Sequence, residues 1–397
     1  MPQYATVKSL PRAMRIIKSM GLMGNEWGEG YREAGRESLV RILEGQMRYR
    51  LDGYLEDWGR RESGDRLNGG YRRHLLTELG DVEIRVPRTR RFSAVHVLQA
   101  YARRSRSVDR MILACFLLGL STRKVGKALL PVLGEPVSAS AVSRIARTLD
   151  TAVAAFHARR LQDRYRVLIL DGVVLSRRTG MGALRRPVLV ALGITPEGKK
   201  EIIDFRLADG ESAIAWEVFL TDLYRRGLEG ENLDLICVDG GSGLNAALPV
   251  VYPNVPVQLC WAHKTRNITD KVKVKDREEV KADVRKIYNA QGITEARQAA
   301  GEFKETWGAI YPRAVESLRN NLDQLLEFLR FDEPKWRKAT RTTNAIERKF
   351  VEVRRRTRSM GAFSDRTSIE RILFAVFTYE NLNEGICAPF LAVTQNS

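Results

Sequence analysis

The stretch VLILDGVVL, residues 167–175, decides the fold, because it is a short apolar strand with an acid at its centre. Runs rich in valine, isoleucine and leucine and bounded by turn residues are typical of buried central strands. A carboxylate inside such a strand loses its hydration, and something must compensate for that loss. Asp171 therefore predicts a ligand or an ion beside it, and Gly172 leaves room for that ligand to come close.

A second apolar run, LDLICVDGG at 233–241, ends on another acid, Asp239. This run also predicts a buried strand, with its acid at the point where the strand ends. An aspartate there has an alternative role, because it could cap the helix that follows, although Ser242 could fill that role instead. Asp239 is thus a candidate ligand or a helix cap.

The third acid lies in the arginine-rich stretch TTNAIERKFVEVRRRTR, residues 342–358. Four residues spaced three or four apart predict a helix with one packed stripe: Ile346, Phe350, Val353 and Thr357. Glu347 borders that stripe, and no cation follows it at the spacing that allows pairing. A bound metal ion would explain an inward-facing carboxylate here. The alternative is an ordinary glutamate near the helix N-terminus, favoured by the helix dipole.

Two acids on strands and one on a late helix are the oxygen ligands that two-metal phosphoryl transfer requires. Asp171, Asp239 and Glu347 are therefore the predicted catalytic and metal-binding residues. The predicted cofactor is Mg²⁺, two ions in each active site, with Mn²⁺ able to substitute.

Composition predicts a nucleic-acid-binding protein. The 397 residues include 66 lysines and arginines against 48 aspartates and glutamates, a formal net charge of +18. Such a charge attracts a polyanion, and nucleic acid is the commonest one. The longest apolar run, 111–120, is half the ~20 residues of a membrane span, and the N-terminus lacks the apolar segment of a secretory signal. The expected location is the bacterial cytoplasm, in association with the nucleoid, with no membrane and no small-molecule substrate.

Two segments before residue 158 are candidates for DNA contact. A predicted hairpin at 71–91 opens a stretch, 72–110, with ten arginines and only four acids. Its expected phosphate contacts are Arg88, Arg90 and Arg91, although a solvated basic surface is the alternative. Residues 111–155 are similar to a helix-turn-helix, with helices at 111–120, 121–130 and 138–149 and a break at 131–137. Ser140, Ser143 and Arg144 would enter the major groove, unless the segment is a plain helical hairpin.

From residue 165 the pattern predicts an α/β domain. Strands at 166–175, 187–194 and 200–207 precede a helix, a strand at 233–238, a helix and a strand at 256–259. This is the order of an RNase H-like mixed sheet, with 270–340 as an all-helical insertion. The expected fold is a multidomain α/β protein in which this domain follows helical and small β DNA-binding regions, including the helix-turn-helix. The expected boundaries are 1–65, 66–110, 111–158, 159–269, 270–340 and 341–397.

Four motifs together carry a family resemblance: LDG at 170–172, CVDGGS at 237–242, QLCWAHKTRN at 258–267, and TNAIER at 343–348 followed by RRRTR. The chain resembles bacterial insertion-sequence transposases of the Mutator type, a branch of the DDE transposases, over essentially its whole length. The resemblance implies that the three acids bind divalent metals. It also matches a Cys-x-x-His element to Cys260 and His263.

The third motif places Cys260, Trp261 and His263 near the expected active site. Half of a zinc-ligand spacing is present, but no second pair completes four ligands, so zinc is not expected. Cys260 and His263 could instead be structural, and Trp261 could stack on an unpaired base or fill the core. Further phosphate contacts are expected from basic residues of the last two motifs: Lys264, Arg266, Arg354, Arg355 and Arg358.

The sequence therefore predicts a transposase that binds double-stranded DNA at the terminal inverted repeats of its own element. It would hydrolyse a phosphodiester there and join the released 3′-OH to target DNA. Holding two ends together implies a homodimer or larger assembly. The alternatives are an RNase H-fold nuclease or resolvase that cuts without joining, and a non-catalytic DNA-binding repressor that uses only residues 70–155.

Overall fold

The chain divides into two units, Met1–Thr148 and Leu149–Ser397. The computed structural model describes residues 26–59, 65–98, 103–117, 120–179, 182–358 and 366–386. Within those ranges the side chains of 26–29, 58–59, 96–97, 176–186 and 356–358 are outside the description. Predictions that concern residues 1–25 and Cys387 therefore lie outside the described residues.

The first unit packs a long helix on a β-hairpin. Helix α1 spans Glu26–Gly59, and the hairpin consists of β1, Leu67–Thr77, and β2, Gly80–Thr89. The hairpin predicted within 71–91 is present, and its first strand begins earlier than expected. Apolar residues of α1, including Met47, pack with alternate hairpin residues such as Ile84 to form a small core. One face of α1 thereby becomes buried.

Three shorter helices follow in the first unit: α2, Arg106–Leu117; α3, Thr122–Leu133; and α4, Ala139–Ala146. Ser121 and Ser138 accept hydrogen bonds from backbone amides of the first turns of α3 and α4, as expected of N-caps. The predicted break at 131–137 is too long, since α3 continues through Pro131 to Leu133. A proline near a helix end removes only one hydrogen bond, so the helix ends instead at Gly134, which is left-handed.

The predicted helix at 138–149 is also wrong at its end. Helix α4 stops at Ala146, and a separate helix α5, Leu149–Ala158, opens the second unit. The backbone amide of Arg147 and the hydroxyl of Thr148 both donate to carbonyls of the last turn of α4. This local capping ends the helix, and the apolar periodicity that continues through Leu149 concealed it.

The second unit contains a five-stranded mixed sheet of order β5-β4-β3-β6-β7. Its strands are β3, Val167–Thr179; β4, Gly182–Ile194; β5, Lys200–Leu207; β6, Leu235–Val238; and β7, Val257–Leu259. Strands β3, β4 and β5 pair antiparallel, whereas β6 pairs parallel with both β3 and β7. Strands β3 and β4 extend beyond the predicted 166–175 and 187–194, and in their outer parts these two strands pair only with each other.

Helices cover both faces of this sheet. On one face, α6 (Ala213–Arg225) and α7 (Ser242–Val251) pack on apolar residues such as Leu170. On the other face, the ring of Phe205 in β5 contacts the rings of Phe156 in α5 and of Phe377 in the C-terminal helix Arg366–Asn383. Successive strand residues point to opposite faces, so Asp171 points away from the face that holds Leu170.

Residues 270–340 contain helices and no strand, as predicted. Helix α8, Trp261–Thr269, precedes this segment. The segment itself contains α9, Arg277–Asn289; α10, Ile293–Trp307; α11, Pro312–Arg319; α12, Leu322–Leu326; and α13, Pro334–Thr340. Among the helices that the structure describes, none is long and apolar enough to cross a membrane.

Two helices complete the unit, α14 (Asn344–Arg358) and α15 (Arg366–Asn383). Lys349 of α14 is buried, and its ammonium donates to carboxylates at the end of α15 and just beyond it, Glu380 and Glu384. Asn381 of α15 exchanges two hydrogen bonds with the backbone of Ile202 in β5. Helix α15 thus fixes α14 with respect to the sheet.

Candidate active site

Two of the predicted acids lie at the point where β6 ends and its parallel pairing with β3 stops. Leu170 of β3 pairs with Val238 of β6, so the residues that follow them, Asp171 and Asp239, are neighbours. Asp171 is only 3% exposed. Asp239 accepts a hydrogen bond of 2.9 Å from the backbone amide of Gly241. The N-cap of α7 is Gly241, which makes no side-chain cap bond, so neither Asp239 nor Ser242 caps that helix.

Backbone contacts bring the third acid to the same place. Glu347 lies in the first turn of α14. The segment before α14 is bound to the β7–α8 junction, where the amide of Thr343 donates to the Cys260 sulfur and that of Trp261 donates to the carbonyl of Arg341. The predicted stripe on α14 is buried at Ile346 and neighbouring apolar positions, while Thr357 lies outside the described side chains. The start of α14 is therefore held beside the ends of β6 and β7.

The electrostatics of Asp171 indicate a concentration of negative charge. Burial, together with the charges of Asp239 and Glu347, raises the pKa of Asp171 to about 7, although a hydrogen bond from Thr343 and the charge of His263 act to lower it. One carboxylate oxygen of Asp171, Oδ2, is buried without a hydrogen-bond partner. Buried polar atoms rarely lack a partner, so this oxygen faces a place for a ligand.

Cys260 and His263 lie beside the acids. Burial alone would raise the pKa of the Cys260 thiol, but hydrogen bonds from His263 and Thr343 outweigh burial and lower it. The side-chain interaction with Cys260, opposed by burial, raises the pKa of His263 to about 9, with help from the charges of Asp171 and Asp239. His263 also has a buried Nδ1 without a hydrogen-bond partner. The site therefore places a cationic imidazole near the carboxylates.

Carboxylate oxygens are the kind of ligand that a hard divalent cation such as Mg²⁺ prefers. Within the described residues, no group of three or more histidine, cysteine, aspartate or glutamate side chains is arranged to hold a metal ion. Mg²⁺, however, is usually bound by one or two carboxylates together with substrate phosphates and water. The buried Oδ2 of Asp171 and the mutually repelling charges of Asp171 and Asp239 fit such a partial site, one that substrate would complete.

A fourth acid near the site, Glu211, was not predicted from the sequence. Its carboxylate occupies the space above Gly172, where an added Cβ would lie 2.6 Å from the Glu211 carboxyl carbon. Partial burial and the charge of Asp239 raise the pKa of Glu211. The signal available from sequence was Gly172, whose missing side chain makes room for this carboxylate. Glu211 itself lies in the loop before α6, where an acid is unremarkable.

Comparison with known proteins identifies the family. Residues 18–384 match the family described as "Transposase, Mutator family". The chain belongs to the Mutator family of transposases.

Relatives of this transposase cover most of its length. The transposase of insertion sequence IS905 from Lactococcus lactis is 33% identical over 325 residues, 81% of this chain and 82% of the relative. The transposase of ISRM5 from Rhizobium meliloti is 32% identical over 361 residues, 90% of this chain and 89% of the relative. The transposase of IS256 in transposon Tn4001 from Staphylococcus aureus is 32% identical over 314 residues, 78% and 79% respectively.

The transposase buries Trp261, which is 1% exposed and donates its indole N–H to the carbonyl of Leu325 at 2.7 Å. Gln258 donates to the same carbonyl, and its side-chain oxygen accepts from the amide of Phe328. The buried ammonium of Lys264 donates to the Ser317 carbonyl and the Asn321 side chain. This placement favours the core-filling alternative for Trp261, and it gives Lys264 protein partners in the helical segment instead of an ammonium exposed to DNA.

The remaining candidate DNA contacts lie mostly on the surface of their own units. In the first unit, Arg88, Arg90, Arg91, Ser140 and Arg144 are exposed, and Ser143 is half-buried. In the second unit, Arg266, Arg354 and Arg355 are exposed, while the side chain of Arg358 is outside the description. The guanidinium of Arg355 makes two bonds of 2.7 Å to the carboxylate of Glu352.

Proposed function

We propose that this chain is a DDE transposase that binds the terminal inverted repeats of its own insertion sequence and catalyses DNA cleavage and strand transfer. One observation carries the proposal. Asp171 and Asp239 follow paired positions of two parallel strands, and the start of α14, with Glu347 in its first turn, is held at the same sheet edge. Membership of the Mutator family supports the assignment.

The proposed fold of the catalytic domain is RNase H-like. Three antiparallel strands followed by two parallel strands, with helices on both faces, support it. The acids also follow the expected order, with the first on β3, the second after β6 and the third on the late helix α14. In the first unit, α3 and α4 with their serine caps support a helix-turn-helix, with α4 as the recognition helix.

Asp171, Asp239 and Glu347 would hold two Mg²⁺ ions, or Mn²⁺ in their place, with the help of DNA phosphates. When bound, these ions supply activation of the attacking oxygen and stabilisation of the leaving oxygen. The protein orients the carboxylates before DNA arrives, through the Thr343 side chain at Asp171 and the Gly241 amide at Asp239. Hydrolysis at the element end releases a 3′-OH, which then attacks a phosphodiester of target DNA.

Two further side chains would act at this centre. His263 carries positive charge beside the acids, so it would contact a phosphate oxygen next to the cleaved bond. Glu211 would contribute a fourth carboxylate from the other side of Gly172, in electrostatic contact with Asp239. It would raise the affinity of the site for divalent cations without being part of the three-acid set.

The proposed partner is double-stranded DNA, both terminal repeats and target, in the bacterial nucleoid. A net charge of +18 favours it. In the first unit the exposed Arg90, Arg91 and Arg144 would carry binding. In the second unit Arg266 and Arg354 would hold the strand near the acids. Joining two ends would need a dimer or a larger assembly.

Replacing each acid by its amide tests the assignment: Asp171→Asn, Asp239→Asn and Glu347→Gln. Each variant should lose Mg²⁺-dependent cleavage of an end-containing duplex by at least about 100-fold, because an amide is a poor metal ligand, while it still binds that duplex. Glu352→Gln, a half-buried acid of the same helix that pairs with Arg355, is the matched control and should cleave normally. Cleavage by Glu347→Gln at near the wild-type rate would show that the metal-ligand assignment is wrong.

A further inference from the structure

Helix α8 connects the candidate active site to a lysine-rich segment. It begins at Trp261, next to the segment that precedes α14, and ends at Thr269. Residues 271–275 then read Lys-Val-Lys-Val-Lys, and we call them the lysine loop. All three lysines are exposed, and Val274 between the last two is 78% exposed. None of these residues is among the expected DNA contacts.

Positive charge at the end of α8 has no negative partner. Residues 265–275 contain four exposed cations and a single acid: Arg266, Lys271, Lys273 and Lys275 against Asp270. Within the described part of the chain, none of these four cations forms an ion pair. By contrast, Lys281 and Lys286 of α9 each pair with an acid three residues earlier, at 2.8 Å. The cations around the lysine loop are therefore available to an external anion.

The excess of positive charge extends to a buried lysine of α8. Burial lowers the pKa of Lys264, and the charge of Lys271 acts in the same direction. Two ammonium groups that repel each other in this way are stabilised when an anion binds near them. The lysine loop thus lies where a phosphate would be favourable.

Contacts within the protein fix the backbone of the lysine loop. Val272 is 4% exposed, and its carbonyl accepts a hydrogen bond of 3.2 Å from Nε of Arg277. The amide of Asp276 donates to the carbonyl of Lys273 at 3.0 Å, and the hydroxyl of Tyr311 donates to the carboxylate of Asp276. A site that is ordered before its ligand arrives loses less entropy on binding. The loop is therefore held at a fixed distance from the start of α8.

The exposed side of α8 leads from the acids to the lysine loop. His263, Arg266 and Asn267 lie within one turn of one another on this side, and Lys271 follows four residues after Asn267. The nine residues of α8 span about 13 Å. A DNA duplex rises about 3.4 Å for each base pair, so this length matches about four base pairs, and the reach of the lysine side chains extends it to about six.

We propose that the lysine loop binds phosphates of duplex DNA about four to six base pairs from the bond that is cleaved. His263 lies at the cleaved bond, Arg266 follows it, and the loop ends the path. Val274 enters the minor groove, where proteins commonly place apolar side chains beside basic ones. The proposal rests on the proposed function and adds to it a DNA-binding surface in the helical segment. That surface fixes the distance between the cleaved bond and a second contact with the duplex.

A thermodynamic cycle between lysines and phosphates tests the contact in the full-length protein. One side of the cycle is the triple variant Lys271→Gln, Lys273→Gln, Lys275→Gln. The other is an end-containing duplex with neutral methylphosphonate linkages about four to six base pairs from the cleavage position, on either side in turn. Binding is measured at low salt without divalent metal, so that the duplex stays intact.

Neutral linkages on one side of the cleavage position should weaken wild-type binding by at least about 10-fold. The triple variant should bind the unmodified duplex with a similar loss, and its slope of log affinity against log salt should fall by about two to three. The same linkages should cost the triple variant less than about twofold, because their partners are already absent. Losses that instead add independently would overturn the proposal, and so would a wild type that is insensitive to the linkages on both sides.

The matched control removes the same charge from other parts of the helical segment: Lys286→Gln, Lys304→Gln and Lys338→Gln. This variant should keep the full sensitivity to the neutral linkages. Cleavage of the unmodified duplex by wild type, measured in parallel with Mg²⁺, reports on the proposed function. Cleavage without coupling between the lysines and the linkages would overturn the loop contact alone.

A photocrosslinker attached to Val274→Cys locates the loop on the duplex. It should mark nucleotides about four to six base pairs from the cleavage position, on the side where the neutral linkages weaken binding. Ile293→Cys, at a position 48% exposed on α10, should crosslink no more than labelled wild type, which controls for the native cysteines. Equal yields from the two variants, or marks without a preferred position, would contradict the proposed path.

Discussion

At the scale of single residues, the buried carboxylate of Asp171 lowers the stability of the folded protein when it is ionised and no cation is bound. A buried acid whose pKa is raised to about 7 is less stable ionised in the fold than in the unfolded chain. The cost is absent below about pH 3, where both states are protonated, and it grows as pH rises to about 7. Above that pH it reaches up to roughly 4 kcal/mol. Folding without a cation should therefore become less favourable as pH rises through this window.

Asp171→Asn should stabilise the cation-free protein at pH 8, because the amide removes the buried charge. In calorimetry with a chelator, its thermal midpoint should exceed that of wild type by several degrees at pH 8, and most of that difference should be lost by pH 4. Added Mg²⁺ should raise the midpoint of wild type but not of the variant. Asp332→Asn, at an exposed position, is the control. A lower midpoint for Asp171→Asn at pH 8 would contradict the assigned cause of the shift.

The carboxylate of Glu211 can lie where it does only because Gly172 has no side chain. Glu211→Gln should raise the Mg²⁺ concentration needed for half-maximal cleavage about three- to tenfold, with a near-normal rate at saturation, because it removes one carboxylate near Asp239. Gly172→Ala should act in the same direction, since its methyl group would displace that carboxylate. Glu217→Gln, exposed on α6, is the control. An unchanged Mg²⁺ requirement in Glu211→Gln would remove Glu211 from the site.

At the scale of elements, buried hydrogen bonds join the helical segment to the sheet. Both Gln258 and Trp261 donate to the carbonyl of Leu325, at 3.0 and 2.7 Å. The end of β7 and the residues just after it thus contact α12 on one side and the segment before α14 on the other. Movement of the helical segment would therefore be transmitted to Glu347 through α8.

Trp261→Phe should cost about 1 kcal/mol, because it loses the hydrogen bond while Leu325 keeps its second donor. Trp261→Ala should cost about 3–5 kcal/mol through the cavity it leaves. Urea unfolding measures both changes, and hydrogen exchange should show reduced protection in residues 322–330. If instead Trp261→Ala were as stable as wild type and slow only on fully paired DNA, the tryptophan would act as a base-stacking residue.

The sequence predicted elements best where apolar runs mark buried surface. The acid within 167–175 and the stripe on α14 indicated the strand and the helix of the site, because burial leaves a periodic pattern. The outer parts of β3 and β4 lack that pattern, and there the two strands pair only with each other. The end of α4 depends on capping by Arg147 and Thr148, which periodicity does not record. The partners of Lys264 come from residues more than fifty positions away, which no local pattern reveals.

At the scale of the whole molecule, charge dominates the expected behaviour towards DNA. The net charge of +18 belongs to a chain whose exposed arginines lie in both units. Neutralising phosphates releases counterions, so affinity falls steeply as salt rises. Specificity, by contrast, depends on the few side chains that reach base edges.

Single substitutions should separate these two contributions in salt titrations of the full-length protein. Arg90→Ala should weaken binding to all duplexes alike and reduce the slope of log affinity against log salt by about one. Arg144→Ala should weaken binding to element ends by about 1–3 kcal/mol and random duplex much less. Equal losses on both kinds of DNA for Arg144→Ala would place end recognition outside α4.

The contacts that join α14, α15 and the sheet also have a consequence for truncated forms of the chain. Lys349 depends on Glu380 and Glu384, and Asn381 supplies the bonds to β5. A polypeptide that stops before residue 380 would lack every one of these contacts, while the whole first unit would remain intact. On the proposed binding of DNA by the first unit, such a product of premature termination or proteolysis would occupy DNA without cutting it. It would compete with full-length protein, and truncated copies would act as dominant inhibitors.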